Sequence, residues 1–166
     1  MIAPDLRVLF CGINPGLYSA AVGHHFARPG NRFWKALHGA GFTDRVVSPF
    51  DDRSLLEVGL GITNLCPRTT ARAEELDPLE LRRGARALTA KVRRYGPAWL
   101  AVLGVVAYRT AFGRPHAGVG VQPERIGATR VHVLPNPSGL NAHYGLPDLV
   151  DHFRTLRRTA LSRFSG

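Results

Sequence analysis

Apolar and polar positions along the chain predict four buried strands. Short, mainly apolar runs occupy residues 6–11, 61–66, 99–103 and 130–134, and a glycine or a proline follows each of them. Runs of this length between turn residues are typical of strands in a mostly parallel sheet.

Helical patterns separate these strands. The strongest begins at Asp77, where a capping side chain, Pro78 at the first helical position and Glu80 in the first turn predict a helix to about Tyr95. Further helices are predicted after a cap at Asn31, from Asp51 and Asp52, around Tyr108, and from Pro147 to Leu161. This alternation predicts an α/β fold, a three-layer α/β/α sandwich with a mostly parallel central sheet. With no linker or repeat in the sequence, residues 1–166 are expected to form a single domain.

The loops that follow the strands are where this architecture places function. In an open parallel sheet, ligands bind beyond the carboxyl ends of the strands. The loops 12–30, 64–72 and 135–145 follow three of the predicted strands and hold most of the unusual residues. We therefore expect the functional site to be built from these three loops.

The positive net charge of the chain predicts a polyanionic partner. Twenty-two Lys and Arg residues against 12 Asp and Glu residues give a formal net charge of +10. Basic side chains bind nucleic acid by releasing counterions from its phosphates. The alternative is a genome rich in G and C, whose codons favour arginine, but that bias does not by itself supply so large an excess of charge.

Other features exclude several classes of protein. Cys11 and Cys66 are the only cysteines, so the chain cannot form a four-thiolate zinc or iron–sulfur site, and no metal is expected. The N-terminus lacks a signal-peptide pattern, and no apolar run approaches the ~20 residues that cross a bilayer. We therefore expect a cytoplasmic protein that acts as a monomer, away from membranes.

The segment Gly-Ile-Asn-Pro-Gly at residues 12–16 directly follows the first strand. Glycine lets the backbone approach a ligand closely, and Asn14 presents a carboxamide at the rim of the sheet. For the pentapeptide alone, an ordinary Asn-Pro turn is the simpler interpretation. It is not a phosphate-binding loop, because it lacks the Gly-Lys-Ser/Thr ending.

The loop after the fourth strand contains one apolar side chain, Leu140, among small and polar residues. A leucine on a loop softened by glycine can act as a wedge in a stack of bases. The alternative, that Leu140 folds back onto the domain, is equally compatible with the sequence.

An aromatic residue, Phe26, lies in a polar loop that also contains His24 and His25. Such a ring can stack on a base that has been flipped out of DNA. A loop aromatic is more often part of a small satellite core, and the two histidines have no carboxylate or thiolate partner at the spacing of a metal site.

Five sequence blocks, taken together, resemble the mismatch-specific uracil-DNA glycosylases and the related thymine-DNA glycosylases. The blocks are 12–16, 26–35, 40–43, 61–65 and 135–140, in the same order, and the resemblance extends from about Val8 to the C-terminal helix. It implies the uracil-DNA glycosylase fold, an α/β/α sandwich.

The resemblance also implies roles for individual residues. Asn14 would position the attacking water, Phe26 would stack on the flipped base, and Asn64 would line the pocket. The backbone around Ile13 and Gly16 would read the edges of the base. The DNA-binding residues would come from the last loop: Asn136, Ser138, Gly139, Leu140, Asn141 and His143.

The sequence departs from the family pattern at two places. Relatives often carry an arginine two residues after the wedge leucine, where this chain has Ala142, followed by His143. The most active uracil glycosylases carry an aspartate where this chain has Asn14.

The function implied is that of a monofunctional DNA glycosylase in base excision repair. It would flip uracil, or thymine or ethenocytosine, from mismatched double-stranded DNA, chiefly opposite guanine, and hydrolyse the N-glycosidic bond to leave an abasic site. Such hydrolysis needs no cofactor. Two alternatives stay open: a broader glycosylase acting on single strands or other deaminated bases, and a non-catalytic module that binds lesions.

Overall fold

The central sheet has five strands. The structure, a computed structural model, describes residues 1–161 of the chain. The strands are β1 (Val8–Gly12), β2 (Leu60–Asn64), β3 (Trp99–Leu103), β4 (Gly120–Ile126) and β5 (Thr129–Leu134). Their order is β2-β1-β3-β5-β4, and all neighbours are parallel except β4 and β5. Every residue of β1 and β3 is buried, because helices cover both faces of a parallel sheet.

Within residues 1–161, five α-helices and two 3-10 helices surround the sheet. They are α1 (Leu17–Val22), α2 (Phe33–Gly39), α3 (Pro78–Tyr95), α4 (Val105–Phe112) and α5 (Leu146–Leu161), with 3-10 helices at Pro49–Val58 and Ala73–Glu75. One core lies between one face of the sheet and α2, α5 and the longer 3-10 helix. A second core lies between the other face and α3 and α4. The predicted three-layer α/β/α sandwich is therefore confirmed.

The helix predicted from the cap signal at Asp77 is confirmed at both ends. The Asp77 carboxylate accepts a hydrogen bond from the Glu80 backbone N–H at 2.9 Å, and the helix ends at Tyr95. The cap predicted at Asn31 is displaced by one residue, because α2 begins at Phe33 and its N-cap is Arg32. The Asn31 side chain nevertheless accepts from the Phe33 N–H at 2.9 Å.

Other boundaries were predicted a few residues away from where they lie. The helix predicted from Asp51 and Asp52 is a 3-10 helix that begins at Pro49, after an N-cap at Ser48. The last helix begins at Leu146, one residue before the predicted start. The strands predicted at 6–11 and 61–66 occupy 8–12 and 60–64.

Besides the short 3-10 helix at Ala73–Glu75, one α-helix and one strand were not predicted. Helix α1 lies inside the segment 12–30, which was predicted to be a loop, and it buries none of its residues, so it leaves no apolar period in the sequence. Strand β4 contains Pro123 and charged residues because it is an edge strand, where a proline costs no ladder hydrogen bond.

The expected single domain of residues 1–166 includes 162–166, which lie outside the described residues. Within residues 1–161, no helix combines the length and the apolarity needed to cross a membrane.

Candidate functional site

The loops that follow β1 and β2 are joined at the carboxyl edge of the sheet. Gly12 and Asn64, the last residues of the two strands, are partners in the parallel register. Beyond them, the Cys66 N–H donates to the Ile13 carbonyl at 2.9 Å, and the Thr70 N–H donates to the Pro15 carbonyl at 3.3 Å. Backbone hydrogen bonds therefore join the first two predicted loops to each other.

Gly12 lies where two of the predicted pocket residues converge. A Cβ atom added to Gly12 would be 2.9 Å from the Asn64 Oδ1 atom and 3.1 Å from the ring of Phe26. Any larger residue at this position would displace one or both of them. The structure thus brings Phe26 and Asn64 together, and the missing side chain of Gly12 provides the space.

Phe26 is held in an unusual backbone conformation. Its φ angle of 51° lies in the left-handed region, which a bulky residue rarely adopts. Its half-buried ring packs against the Phe33 ring at a centroid distance of 4.4 Å. The strained loop is fixed by Asp52, which accepts from the His25 N–H at 3.4 Å, and by the Trp34 indole N–H, which donates to the His25 carbonyl at 3.2 Å. Phe26 is therefore supported from behind.

The Asn14 carboxamide is oriented by two acceptors. Its Nδ2 atom donates to the Arg68 carbonyl at 2.8 Å and to the Thr70 hydroxyl at 2.7 Å. The Thr70 hydroxyl gives its own hydrogen to the Arg72 carbonyl at 2.6 Å, so toward Asn14 it can only accept. Both amide hydrogens of Asn14 are thus used, and within residues 1–161 no protein donor reaches its Oδ1 atom.

An ion pair at the start of α3 supports this arrangement. The Arg68 guanidinium donates two hydrogen bonds to the Glu80 carboxylate, at 2.7 and 2.8 Å, and a third to the Glu75 carbonyl at 2.9 Å. The hydrogen bond from Arg68 lowers the pKa of the Glu80 carboxyl below its ordinary value and raises that of Arg68. The pair thereby fixes the backbone whose carbonyl binds Asn14.

The remaining residues of the first loop lie on either side of Asn14. Ile13 packs into the second core beside Gly104, so its side chain points into the protein. Gly16 is exposed and forms the N-cap of α1. Its position keeps the backbone of this segment at the surface.

Three of the residues predicted to bind DNA use their side chains inside the last loop. The Asn136 side chain accepts from the Ser138 N–H at 3.0 Å, and the Ser138 hydroxyl accepts from the Leu140 N–H at 3.2 Å. Asn141 donates to the Asn136 carbonyl at 3.0 Å and accepts from the His143 N–H at 3.2 Å. These side chains shape the loop, and the exposed residues at its tip are Gly139, Leu140, Ala142 and His143.

Leu140 is 57% exposed, so it does not fold back into a core. It lies at the rim of a cleft of about 380 Å³ whose other walls include Leu17 and Tyr18 of α1 and the arginines Arg28 and Arg72. Leu17 and Tyr18 are also exposed. Exposed apolar side chains beside cations are a surface suited to nucleic acid, which offers both bases and phosphates.

The described side chains do not support metal-dependent or thiolate chemistry at this site. Within residues 1–161, no three His, Cys, Asp or Glu side chains are grouped so as to hold a metal ion. Burial raises the pKa of the Cys11 thiol to about 12 and also raises that of Cys66, so neither is a ready thiolate nucleophile. Within residues 1–161, this edge of the sheet therefore offers neither a metal site nor a ready thiolate.

Sequence reasoning missed Thr70, Arg72 and Asp52 in this site. Thr70 and Asp52 act through contacts with Asn14 and His25, which are distant in sequence, and such contacts leave no local signal. Arg72 accepts from the nearby Thr70 hydroxyl through its carbonyl, a group that every residue has. Arg32, read only as part of a sequence block, is the most extensively bonded residue that was overlooked.

The chain was compared with models of known protein families. The model described as the uracil DNA glycosylase superfamily matches residues 1–160, which include every residue of the site described above.

Proposed function

Because the chain belongs to the uracil DNA glycosylase superfamily, we propose that it excises uracil from mismatched double-stranded DNA, chiefly opposite guanine. The family makes the protein a DNA glycosylase, a hydrolase of DNA repair whose substrate is DNA. The preference for a mismatch and the roles of single residues are our proposal, and they rest on the arrangement of Asn14, Phe26, Asn64 and Leu140.

The extruded base would lie in the pocket beside Gly12. Phe26 offers a ring fixed by Phe33, and Asn64 offers a carboxamide that can pair with a polar edge of the base. Stacking of a base on an aromatic ring is worth about 1–3 kcal/mol. Because Phe26 is already held in place, little side-chain entropy is lost on binding.

The orientation of the Asn14 amide is the single observation that carries the mechanism. Both of its hydrogens are bound to the Arg68 carbonyl and the Thr70 hydroxyl, which leaves Oδ1 as an acceptor for water. A carboxamide cannot take a proton as a carboxylate does, so Asn14 would orient water rather than act as a general base. The water would attack the sugar carbon as the glycosidic bond breaks, so that its oxygen becomes the new sugar hydroxyl, the base leaves as an anion, and the proton that the water releases passes to solvent.

The departing base must be stabilised as an anion. We assign this role to backbone N–H groups of the 12–16 segment and to the Asn64 amide, because preorganised donors stabilise charge where it develops. The two lysines of the chain are not placed to act as nucleophiles that form a Schiff base with the sugar. Lys91 on α3 donates to the Thr63 hydroxyl at 2.8 Å, and Lys35 is exposed on α2. A Schiff base is therefore not expected, and the enzyme would be monofunctional.

The preference for mismatches follows from the cost of extrusion. Flipping a base costs a few kcal/mol and is cheapest at a mispair such as guanine–uracil. Exposed Leu140 would fill the space that the base leaves in the stack, beside the opposite guanine. No other described side chain at the tip of this loop is apolar and as large.

A panel of oligonucleotides tests the proposal under single-turnover conditions. Excision should be fastest for uracil opposite guanine, slower opposite adenine, and absent for the Asn14→Ala variant, whose duplex affinity should stay within a few-fold of wild type. Thymine, ethenocytosine and hypoxanthine in the same sequence define the range of bases. Faster excision from single strands than from the mismatch would refute the proposed preference, and tight lesion binding without excision would indicate a binding module.

Salt dependence tests the part played by the positive charge. If arginines neutralise phosphates, log affinity should fall linearly with log salt concentration, with a slope near −0.9 per phosphate contacted. A flat plot would mean that the excess of arginine does not bind DNA.

A further inference from the structure

The loop that carries Leu140 has little apolar anchorage of its own. Its tip, from Gly139 to His143, is exposed or half-exposed, and the segment between β5 and α5 contains no regular secondary structure. A plug that enters a base stack must nevertheless hold its position against the cost of parting the bases. Something outside the loop must therefore fix it.

The guanidinium group of Arg32 donates hydrogen bonds to four backbone carbonyl groups of this loop. Arg32 Nη2 donates to the Ser138 carbonyl at 2.7 Å and to the Asn141 carbonyl at 3.1 Å. Arg32 Nε donates to the Pro137 carbonyl at 3.4 Å, and Nη1 donates to the Tyr144 carbonyl. The backbone N–H of Arg32 adds a further bond to Pro137, at 3.0 Å. These bonds enclose Leu140 on both sides along the chain.

The electrostatics of this cluster make the loop dependent on Arg32. Four carbonyl oxygens that converge on one point repel each other unless a cation lies between them. Hydrogen bonds from a charged donor are about twice as strong as neutral ones, and only the planar guanidinium offers enough donors in this geometry. Four of its five N–H groups are used on the loop, so Arg32 has little capacity left for a phosphate.

The same segment also contacts the loop through its backbone. A Cβ atom added to Gly139 would be 2.7 Å from the Gly30 carbonyl oxygen, so the tip lies directly on the 30–32 segment. Arg32 is followed by Phe33, whose ring supports Phe26. The residue that holds the wedge loop is thus adjacent in sequence to the residue that supports the base-stacking ring.

We propose that Arg32 is a positioning residue that holds the 137–144 loop so that Leu140 is presented to the DNA stack. Arg32 would not contact DNA itself. This inference rests on the proposed function, because it gives Leu140 the role of the plug.

Two variants and one control test the proposal in the full chain. Arg32→Lys keeps the charge but cannot reach four carbonyls, and Arg32→Ala removes the cation. Arg125→Lys, on exposed β4 at the opposite end of β5, is the matched control. In Arg32→Lys, single-turnover excision from a stably paired uracil duplex should fall by about tenfold or more. Excision from a single-stranded oligonucleotide, which needs no plug, should stay within about threefold of wild type.

A double-mutant cycle shows whether Arg32 acts through Leu140. If it does, Arg32→Lys should cost little further activity in a Leu140→Ala background, so the two effects should be strongly non-additive. The slope of log affinity against log salt should be unchanged in Arg32→Lys, because no phosphate contact is lost. Additive effects would overturn the proposal. So would an Arg32→Ala slope reduced by about 0.9, which is the loss expected for one phosphate contact.

Hydrogen exchange separates this inference from the proposed function, because it needs no activity. The amides of residues 138–143 should exchange faster in Arg32→Lys than in wild type or in Arg125→Lys, while amides of β1 and β3 stay protected. Unchanged exchange in the loop would refute the positioning role whatever the enzyme does. Faster exchange, in a protein whose wild type excises no uracil, would refute the proposed function and uphold the anchoring by Arg32.

Discussion

Replacing Asn14 by Asp should weaken the protein rather than improve it as an enzyme. The two partners of the Asn14 Nδ2 atom, the Arg68 carbonyl and the Thr70 hydroxyl, both act as acceptors, and an aspartate has no hydrogen to give them. Two hydrogen bonds of about 1 kcal/mol each would be lost, so the stability loss at neutral pH should be about 2 kcal/mol. The carboxylate would also face two oxygen atoms, which raises its pKa above the ordinary value of Asp.

The pH dependence of this loss gives a clear signature. A carboxyl whose pKa is raised on folding stabilises the fold while it is protonated, and this contribution disappears as the pH rises through the folded pKa. The stability difference between wild type and Asn14→Asp should therefore grow as the pH rises above about 4, the ordinary pKa of Asp, and level off above the folded pKa. The matched control is Asn14→Ala, which loses the same bonds without adding a titrating group.

Chemical denaturation of the three proteins across this pH range, with excision rates on a guanine–uracil duplex at neutral pH, measures the effect. The Asn14→Ala deficit should be constant with pH, and both variants should excise uracil far more slowly than wild type. An Asn14→Asp protein with wild-type stability at neutral pH and a higher excision rate would refute the inferred orientation of the amide.

Three further predictions follow from burial and close contacts. Leu140→Ala should cost less than about 1 kcal/mol of stability, because Leu140 is 57% exposed. The control Leu134→Ala, in the core, should cost about 2–5 kcal/mol, and thermal melting compares the two variants. A large stability loss in Leu140→Ala, with equal loss of activity on all substrates, would exclude the wedge. Gly12→Ala should reduce excision more than duplex affinity, because the new Cβ would press on Asn64 and the Phe26 ring; equal losses of both would contradict the pocket. Burial lowers the pKa of His132 to about 4, so this imidazole should cost wild type up to about 3 kcal/mol of stability as the pH falls from 6.5 toward 4. In denaturation curves, His132→Phe should remove this part of the pH dependence and leave the part that comes from His25, whose pKa burial also lowers.

The sequence predicted those features that depend on local pattern. The continuous apolar runs of β1 and β3 predicted buried strands, and the cap at Asp77 predicted the start of α3. Helix α1 and strand β4 were missed for the converse reason. Helix α1 buries no side chain and β4 lies at the edge of the sheet, so neither needs the apolar periodicity by which sequence patterns are recognised.

The candidate site also has some features that the sequence indicated and others that only the structure showed. The sequence offered Asn14, Phe26 and Leu140 as candidates, but each of them alone also had an ordinary structural interpretation, and their proposed roles came from the resemblance of five ordered blocks to a known family. Only the tertiary structure decided how they are held. Arg32 meets carbonyls more than 100 residues away along the chain, and Thr70 meets Asn14 across 56 residues. Such bonds are fixed by the parallel register that joins the strand ends, and backbone carbonyls are present in every residue, so no residue type in the sequence marks them in advance.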